Sequence, residues 1–115
     1  MNDLHLASVI IVTWNSAAYL SRCLDCLAAQ TLKDFEGVLV DNGSTDGCLD
    51  GVESRWPGLN LGLVCLPKNR GFAAANNLGA HLARGQWLAL LNTDAFPEPD
   101  WLEKLLMAAP SDKTV

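Results

Sequence analysis

The sequence has no basic cluster: eight Lys and Arg lie scattered among thirteen Asp and Glu, for a net charge of −5. That balance argues against nucleic acid as a partner, because a phosphate backbone needs a basic face. A phosphorylated small molecule stays open, since backbone N–H groups or a metal ion can meet phosphate locally. Long apolar runs are missing too, and none approaches the roughly 20 residues that span a bilayer. MNDLHL at the N-terminus lacks the basic and apolar regions of a secretion signal. Neither G-x-G-x-x-G nor G-x-x-x-x-G-K-[ST] occurs, which excludes the usual dinucleotide-binding and phosphate-loop signatures. Histidine is scarce: His5 and His81 have no partners at ligand spacing. Of four cysteines, Cys23 and Cys26 form a lone C-x-x-C inside a helical pattern, while Cys48 and Cys65 stand apart. Without a second pair at zinc spacing, all four are expected to be thiols.

What is present is a regular alternation. The β-branched apolar run 7–13 predicts a strand, and Leu20, Cys23, Leu24, Leu27 and Ala28 then recur at helical spacing. Asn15 or Ser16 is placed to cap that helix. Strand 35–40 follows, then a weaker helical pattern in Leu49, Val52 and Trp56 that stops at Pro57-Gly58. Strand 61–66 ends at Pro67. A helix from Phe72 to Arg84 buries Ala75, Leu78, Gly79 and Leu82, with Gly85 as its stop. Strand 87–91 leads to a last helix carrying Leu102, Leu105, Leu106 and Ala109, with Pro99 in its first turn. At 115 residues this is one domain. The order β-α-β-α-β-α-β-α, with strands apolar throughout, predicts an α/β fold: a Rossmann-like parallel sheet with helices on both faces.

Right-handed crossovers bring every strand's carboxyl end to one edge, where ligands bind at the point of strand-order reversal. Thr13-Trp14-Asn15, Asp41-Asn42-Gly43-Ser44, Lys68-Asn69-Arg70-Gly71 and Asn92-Thr93-Asp94 meet there. Polar residues after strands ordinarily cap the next helix. Asp41 and Asp94 exceed that need, because Ser44, Thr45 or Asp46 can cap the second helix and the fourth begins well beyond Asp94. Each is therefore either a ligand-binding carboxylate or the acceptor of a structural Asx-turn. Trp14 lies on the same edge and is placed to shape a pocket. Trp56, Trp87 and Trp101 are expected to pack in the core.

Four stretches, VIIVTWNSAAYLSRCL, VLVDNGSTDG, NRGFAAANNLGA and LALLNTDAFPEPDWLEKL, resemble successive blocks of the family 2 inverting glycosyltransferases, which have the GT-A fold. The likeness is nearest to bacterial rhamnosyltransferase-like enzymes of cell-surface polysaccharide synthesis and runs over nearly the whole chain. It implies that Thr13 and Asn15 line a nucleotide pocket. Asp41 would bond the base or ribose, supported by Asn42 and Ser44, and Asn69 and Arg70 would lie near the base or diphosphate. Asn92-Thr93-Asp94 falls at the family's D-x-D position, where Asp94 would hold Mg²⁺ or Mn²⁺ against the donor's diphosphate. Asn92 replaces the first acid, so the cation would bind together with the diphosphate, and Asn92 would bond a ribose hydroxyl or a metal-bound water.

The implied partners are a dTDP-, UDP- or GDP-type sugar donor and a glycan or lipid-linked acceptor. The implied location is cytoplasmic, including the inner membrane face. The general base of such enzymes lies beyond the D-x-D block, and Glu98, Asp100, Glu103 and Asp112 do not match it. Residues 1–115 are thus expected to be a nucleotide-sugar-binding half, cut before the acceptor half, with little turnover. Two rivals compete with this reading: a non-catalytic nucleotide-binding module, and a receiver-type signalling domain. The receiver lacks support because no acid pair follows the first strand and no fifth strand exists.

Overall fold

A computed structural model describes residues 5–109. Its elements are β1 (His5–Thr13), α1 (Leu20–Ala28), β2 (Phe35–Asp41), α2 (Val52–Arg55), β3 (Leu61–Cys65), α3 (Phe72–Leu82), β4 (Gly85–Leu90) and α4 (Trp101–Met107). The four strands are parallel and ordered β3-β2-β1-β4. The order reverses beside β1, so the crevice between the carboxyl ends of β1 and β4 is the place where such a sheet leaves room for a ligand.

Alternation along the central strands builds two unequal layers. Ala7, Val9 and Ile11 of β1 and Phe35 and Leu39 of β2 face Leu20, Cys23, Leu24 and Leu27 of α1, with Val52, Trp56 and Leu102 completing that core. Ile10, Val38 and Val40 point the other way, onto Ala75 of α3. Three helices therefore cover one face and a single helix the other. The α1 stripe is fully buried; truncating one of its leucines to alanine would cost about 2–5 kcal/mol. Gly79 lets α3 come close to the sheet, because a Cβ there would lie 2.6 Å from the Ile10 side chain.

Trp87 and Trp101 are partly buried against the larger core, and His81 is exposed on α3. All four cysteines are free thiols. No helix among the described residues is long and apolar enough to cross a membrane.

Several local expectations need correction. Neither Asn15 nor Ser16 caps α1 through its side chain; the helix opens at Tyr19, whose N–H bonds the Ser16 carbonyl. The second helix is one turn, preceded by Gly51 at φ +70°, and Asp46, Ser44 and Thr45 bond elsewhere. Helix α3 stops at Leu82, short of Arg84, and Gly85 opens β4. A Cβ at Gly85 would sit 2.4 Å from the Ala7 backbone, which explains the glycine by close strand approach. α3 packs on β1 and β2, and Leu82, Leu88 and Leu90 are exposed. Pro99 precedes α4 rather than opening it, and Leu105 is exposed while Leu102 is fully buried.

Candidate functional site

The carboxyl ends of the strands carry two tied loops. The β1–α1 loop turns sharply at Asn15, a non-glycine residue at φ +47°. That conformation is uncommon outside glycine and is tolerated best by Asn and Asp. Here it is held from both sides: the Asn15 N–H donates to Ser44 Oγ (2.8 Å), and Asn15 Oδ1 accepts from the Thr45 N–H (2.8 Å). Asp46 Oδ2 accepts from the Ala17 N–H (2.9 Å), and that backbone bond is the main reason its carboxyl titrates below the ordinary value of 3.8.

Asp41 is the hub beneath these loops. It is 4 % exposed. Its Oδ1 accepts from Thr13 Oγ1 (2.7 Å) and Ser44 Oγ (2.5 Å), and its Oδ2 accepts from the Ser44 N–H (2.8 Å). Three donors thus satisfy one buried carboxylate, as a polar group removed from water requires. Thr13 is fully buried by this arrangement. Asp41 and Ser44 face a 320 Å³ hollow on the β3 side, away from the β1–β4 crevice.

The crevice holds a separate cavity of about 420 Å³. Its polar lining includes Asn42, Asn69, Asn92 and Asp94, and its aromatic lining is Trp14, Tyr19 and Phe72. Loops from all four strand ends thus meet in one place. Trp14 and Phe72 are 54 % and 58 % exposed, an unusual state for large rings unless they serve a ligand or a partner. Asn42 is buried and fastens the third loop: its Oδ1 accepts from the Arg70 N–H and its Nδ2 donates to the Gly71 carbonyl, both at 3.2 Å. Gly43, at φ +80°, permits the same contact, because a Cβ there would lie 2.8 Å from Lys68 Cα. Asn69 Oδ1 accepts from the Gly71 N–H (2.7 Å). Arg70 is exposed and its side chain does not line the cavity.

Asp94 differs from Asp41 in every respect that matters chemically. It is exposed, lines the cavity, and among the described residues accepts no hydrogen bond and forms no ion pair. Among the described residues it is the single carboxylate on that lining. Among the described residues no cluster of three or more His, Cys, Asp or Glu could form a protein cage for a metal. One free carboxylate beside three amides fits a hard cation that takes its remaining oxygens from a phosphorylated ligand and water. Beneath the turn, the Cys23 thiol donates to the Asn92 carbonyl (3.8 Å). Burial, then Cys26, then Asp94 push that thiol up to about 11, so it is a neutral donor at physiological pH.

Of the edge residues named from sequence, the cavity brings together Asn42, Asn69, Asn92 and Asp94. Thr13, Asn15, Asp41 and Ser44 form the tied scaffold beside it. Sequence reasoning missed Tyr19 and Phe72 as lining residues. Tyr19 stood just outside the buried stripe of α1, and Phe72 at the start of a helix on the ligand edge; those positions were the available signal.

Comparison with known proteins converges on one family. The family model for glycosyl transferase family 2 matches residues 8–115. Similar curated proteins include a hyaluronan synthase from Pasteurella multocida, 31% identical over 115 residues, and a PGL/p-HBAD biosynthesis glycosyltransferase from Mycobacterium bovis, 47% identical over 88 residues. The match covers 100% of this chain and 12% of the first, and 76% of this chain and 34% of the second. S. aureus TarS 1-349, solved in complex with UDP-GlcNAc, superimposes at TM-score 0.82 with 32% identity, over 88% of this chain and 30% of that one. The mannosyltransferase PcManGT from Pyrobaculum calidifontis, solved with GDP-Man and Mn²⁺, gives TM-score 0.83 and 34% identity, over 93% of this chain and 33% of that one. The chain therefore spans about a third or less of the length of these relatives.

Proposed function

Because this chain belongs to glycosyl transferase family 2, we propose that the β1–β4 crevice binds the nucleoside diphosphate of a sugar donor, for transfer with inversion to an acceptor hydroxyl on a glycan or lipid-linked chain. The observation that carries this reading is Asp94: an acid free of protein donors, facing the same cavity as three amides and three aromatic rings. The donors named for TarS and PcManGT, UDP-GlcNAc and GDP-Man, and the Mn²⁺ bound with the latter, support the same ligand class here.

In this reading Trp14 stacks on the base, and the side-chain amides of Asn42, Asn69 and Asn92 meet base, ribose and phosphate oxygens. Asp41 acts indirectly, holding Thr13, Ser44 and through them Asn15, so that the aromatic loop keeps its place. Arg70, which follows the lining residue Asn69 and is exposed, would meet an incoming phosphate from outside the cavity. Asp94 would hold Mg²⁺ or Mn²⁺ jointly with the diphosphate; such a cation supplies Lewis-acid stabilisation of the charge that develops as the sugar departs. Asp94 is also the only carboxylate lining the cavity among the described residues. We therefore assign this crevice the donor-binding role.

Titration of UDP, GDP and dTDP and their sugars, by calorimetry with and without Mn²⁺, tests the proposal. At least one nucleotide should bind, and more tightly with the metal. Indifference to all of them under both conditions would refute it.

A further inference from the structure

The loop carrying Asp94 is not self-supporting. Within residues 92–102 the backbone bonds itself through the Ala95 N–H to the Asn92 carbonyl and the Trp101 N–H to the Glu98 carbonyl (both 3.0 Å), and the sheet grips it only before it starts, at Leu91. The polar and ring ties that join this segment to the strands and helices before it come from α1 and the two residues past its C-cap, while Lys104 of α4 adds an ion pair to Asp100 (2.9 Å). Arg22 stacks over the Phe96 ring at 4.2 Å, and Cys23 reaches the Asn92 carbonyl. Thr31 donates its N–H to the Pro99 carbonyl at 2.8 Å.

Gln30 is the strongest of these ties and one that no site described above uses. It is a polar side chain with 0 % exposure. Its Nε2 donates to the Glu98 carbonyl (2.7 Å) and back to the Cys26 carbonyl of α1 (3.1 Å). Its Oε1 accepts from the Leu102 N–H (2.9 Å). Helix α4 has no side-chain cap of its own, since Asp100 at its N-cap makes no capping bond. One amide from just past the C-cap of α1 thus replaces the missing cap and pins the stretch before it. A buried amide is retained only when its hydrogen-bonding groups are used. Here they are used on the segment that leads away from the site.

We propose that Gln30 is a positioning residue: it fixes the distal end of the 92–102 segment to α1, so that Asp94 presents its carboxylate into the crevice in one conformation. The role deepens the donor-site reading and rests on it for its functional consequence, while the mechanical part stands on the protein alone. Gln30 touches neither nucleotide nor cation; it acts through the Glu98 carbonyl and the first turn of α4.

Two variants test it. Gln30→Met keeps the side chain's length and removes both bonds to the segment. Gln30→Asn keeps the amide but is one methylene too short to span from α1 to Glu98 and Leu102 together. By hydrogen exchange, amides from Ala95 to Leu102 should lose protection in both variants, while those of β1, β2 and α3 keep wild-type rates. By calorimetry, the gain in nucleotide affinity that Mn²⁺ confers should fall about tenfold, the scale of losing a support behind a metal ligand, with the metal-free affinity unchanged. Equal loss with and without Mn²⁺, or unchanged exchange from Ala95 to Leu102, would overturn the assignment. So would failure of both variants to fold, because Gln30 would then hold the whole domain. If wild type itself gains nothing from Mn²⁺, the donor-site reading fails separately, and the exchange data alone decide the role of Gln30.

Discussion

Removing Asp41 and removing Asp94 should damage this protein in opposite ways. Asp41→Ala takes the acceptor from three donors at once. The Thr13 hydroxyl has no exposure to water, so its loss of partner costs about 1–3 kcal/mol. The Ser44 groups are half-buried, and water replaces the carboxylate there at a cost of about 0.5–1 kcal/mol. The sum, about 1.5–4 kcal/mol, corresponds to a fall in Tm of roughly 6–16 °C for a domain of this size. Asp94→Ala removes an exposed side chain that accepts no hydrogen bond among the described residues, so stability should stay within about 0.5 kcal/mol of wild type. Nucleotide titrations of that variant with and without Mn²⁺ should superimpose, whereas Asp41→Ala, assayed well below its melting point, should still respond to the metal. Thermal unfolding by circular dichroism and calorimetric titration of the same preparations separate the two outcomes. Equal Tm losses in both variants, or an Asp41→Ala protein as stable as wild type, would refute the division of labour between the acids.

Two further predictions probe the loops. Trp14→Ala should weaken nucleotide binding by about 1–3 kcal/mol, the scale of an aromatic–base stack, and leave Tm nearly unchanged because the ring is 54 % exposed; full retention of affinity would remove Trp14 from the site. Acid should unfasten the tied loops at Asp46. Its carboxyl titrates below the ordinary 3.8, so its contribution is complete above that value and is lost as pH falls through the lower folded value. Protection of the Ala17 amide should therefore persist at neutral and mildly acidic pH and collapse only below 3.8; a loosening centred near neutral pH would implicate another group.

Certain features were legible because they are written in short stretches. The run SVIIV and the stripe Leu20, Cys23, Leu24 and Leu27 carry their burial pattern within a few residues, and strand and helix follow from period alone. Parallel order and right-handed crossovers then fix which loops share an edge, which is why Asn42, Asn69, Asn92 and Asp94 were recognisable as neighbours before any coordinates. The four blocks in register added the family.

Which polar group bonds which was decided only by the tertiary structure. Asp41 and Asp94 look alike in sequence, each an acid just past an apolar strand. The fold gives one of them Thr13, 28 residues away, and Ser44, and leaves the other open. Ser8, Glu36 and the Arg84 N–H similarly close a buried polar cluster across separations of 28 and 48 residues, and Gln30 finds the Leu102 N–H at a separation of 72. The physical reason is range. Hydrophobic periodicity is a property of consecutive residues and needs no partner, whereas a hydrogen bond between loops exists only once the sheet has set their distance to within a few tenths of an ångström.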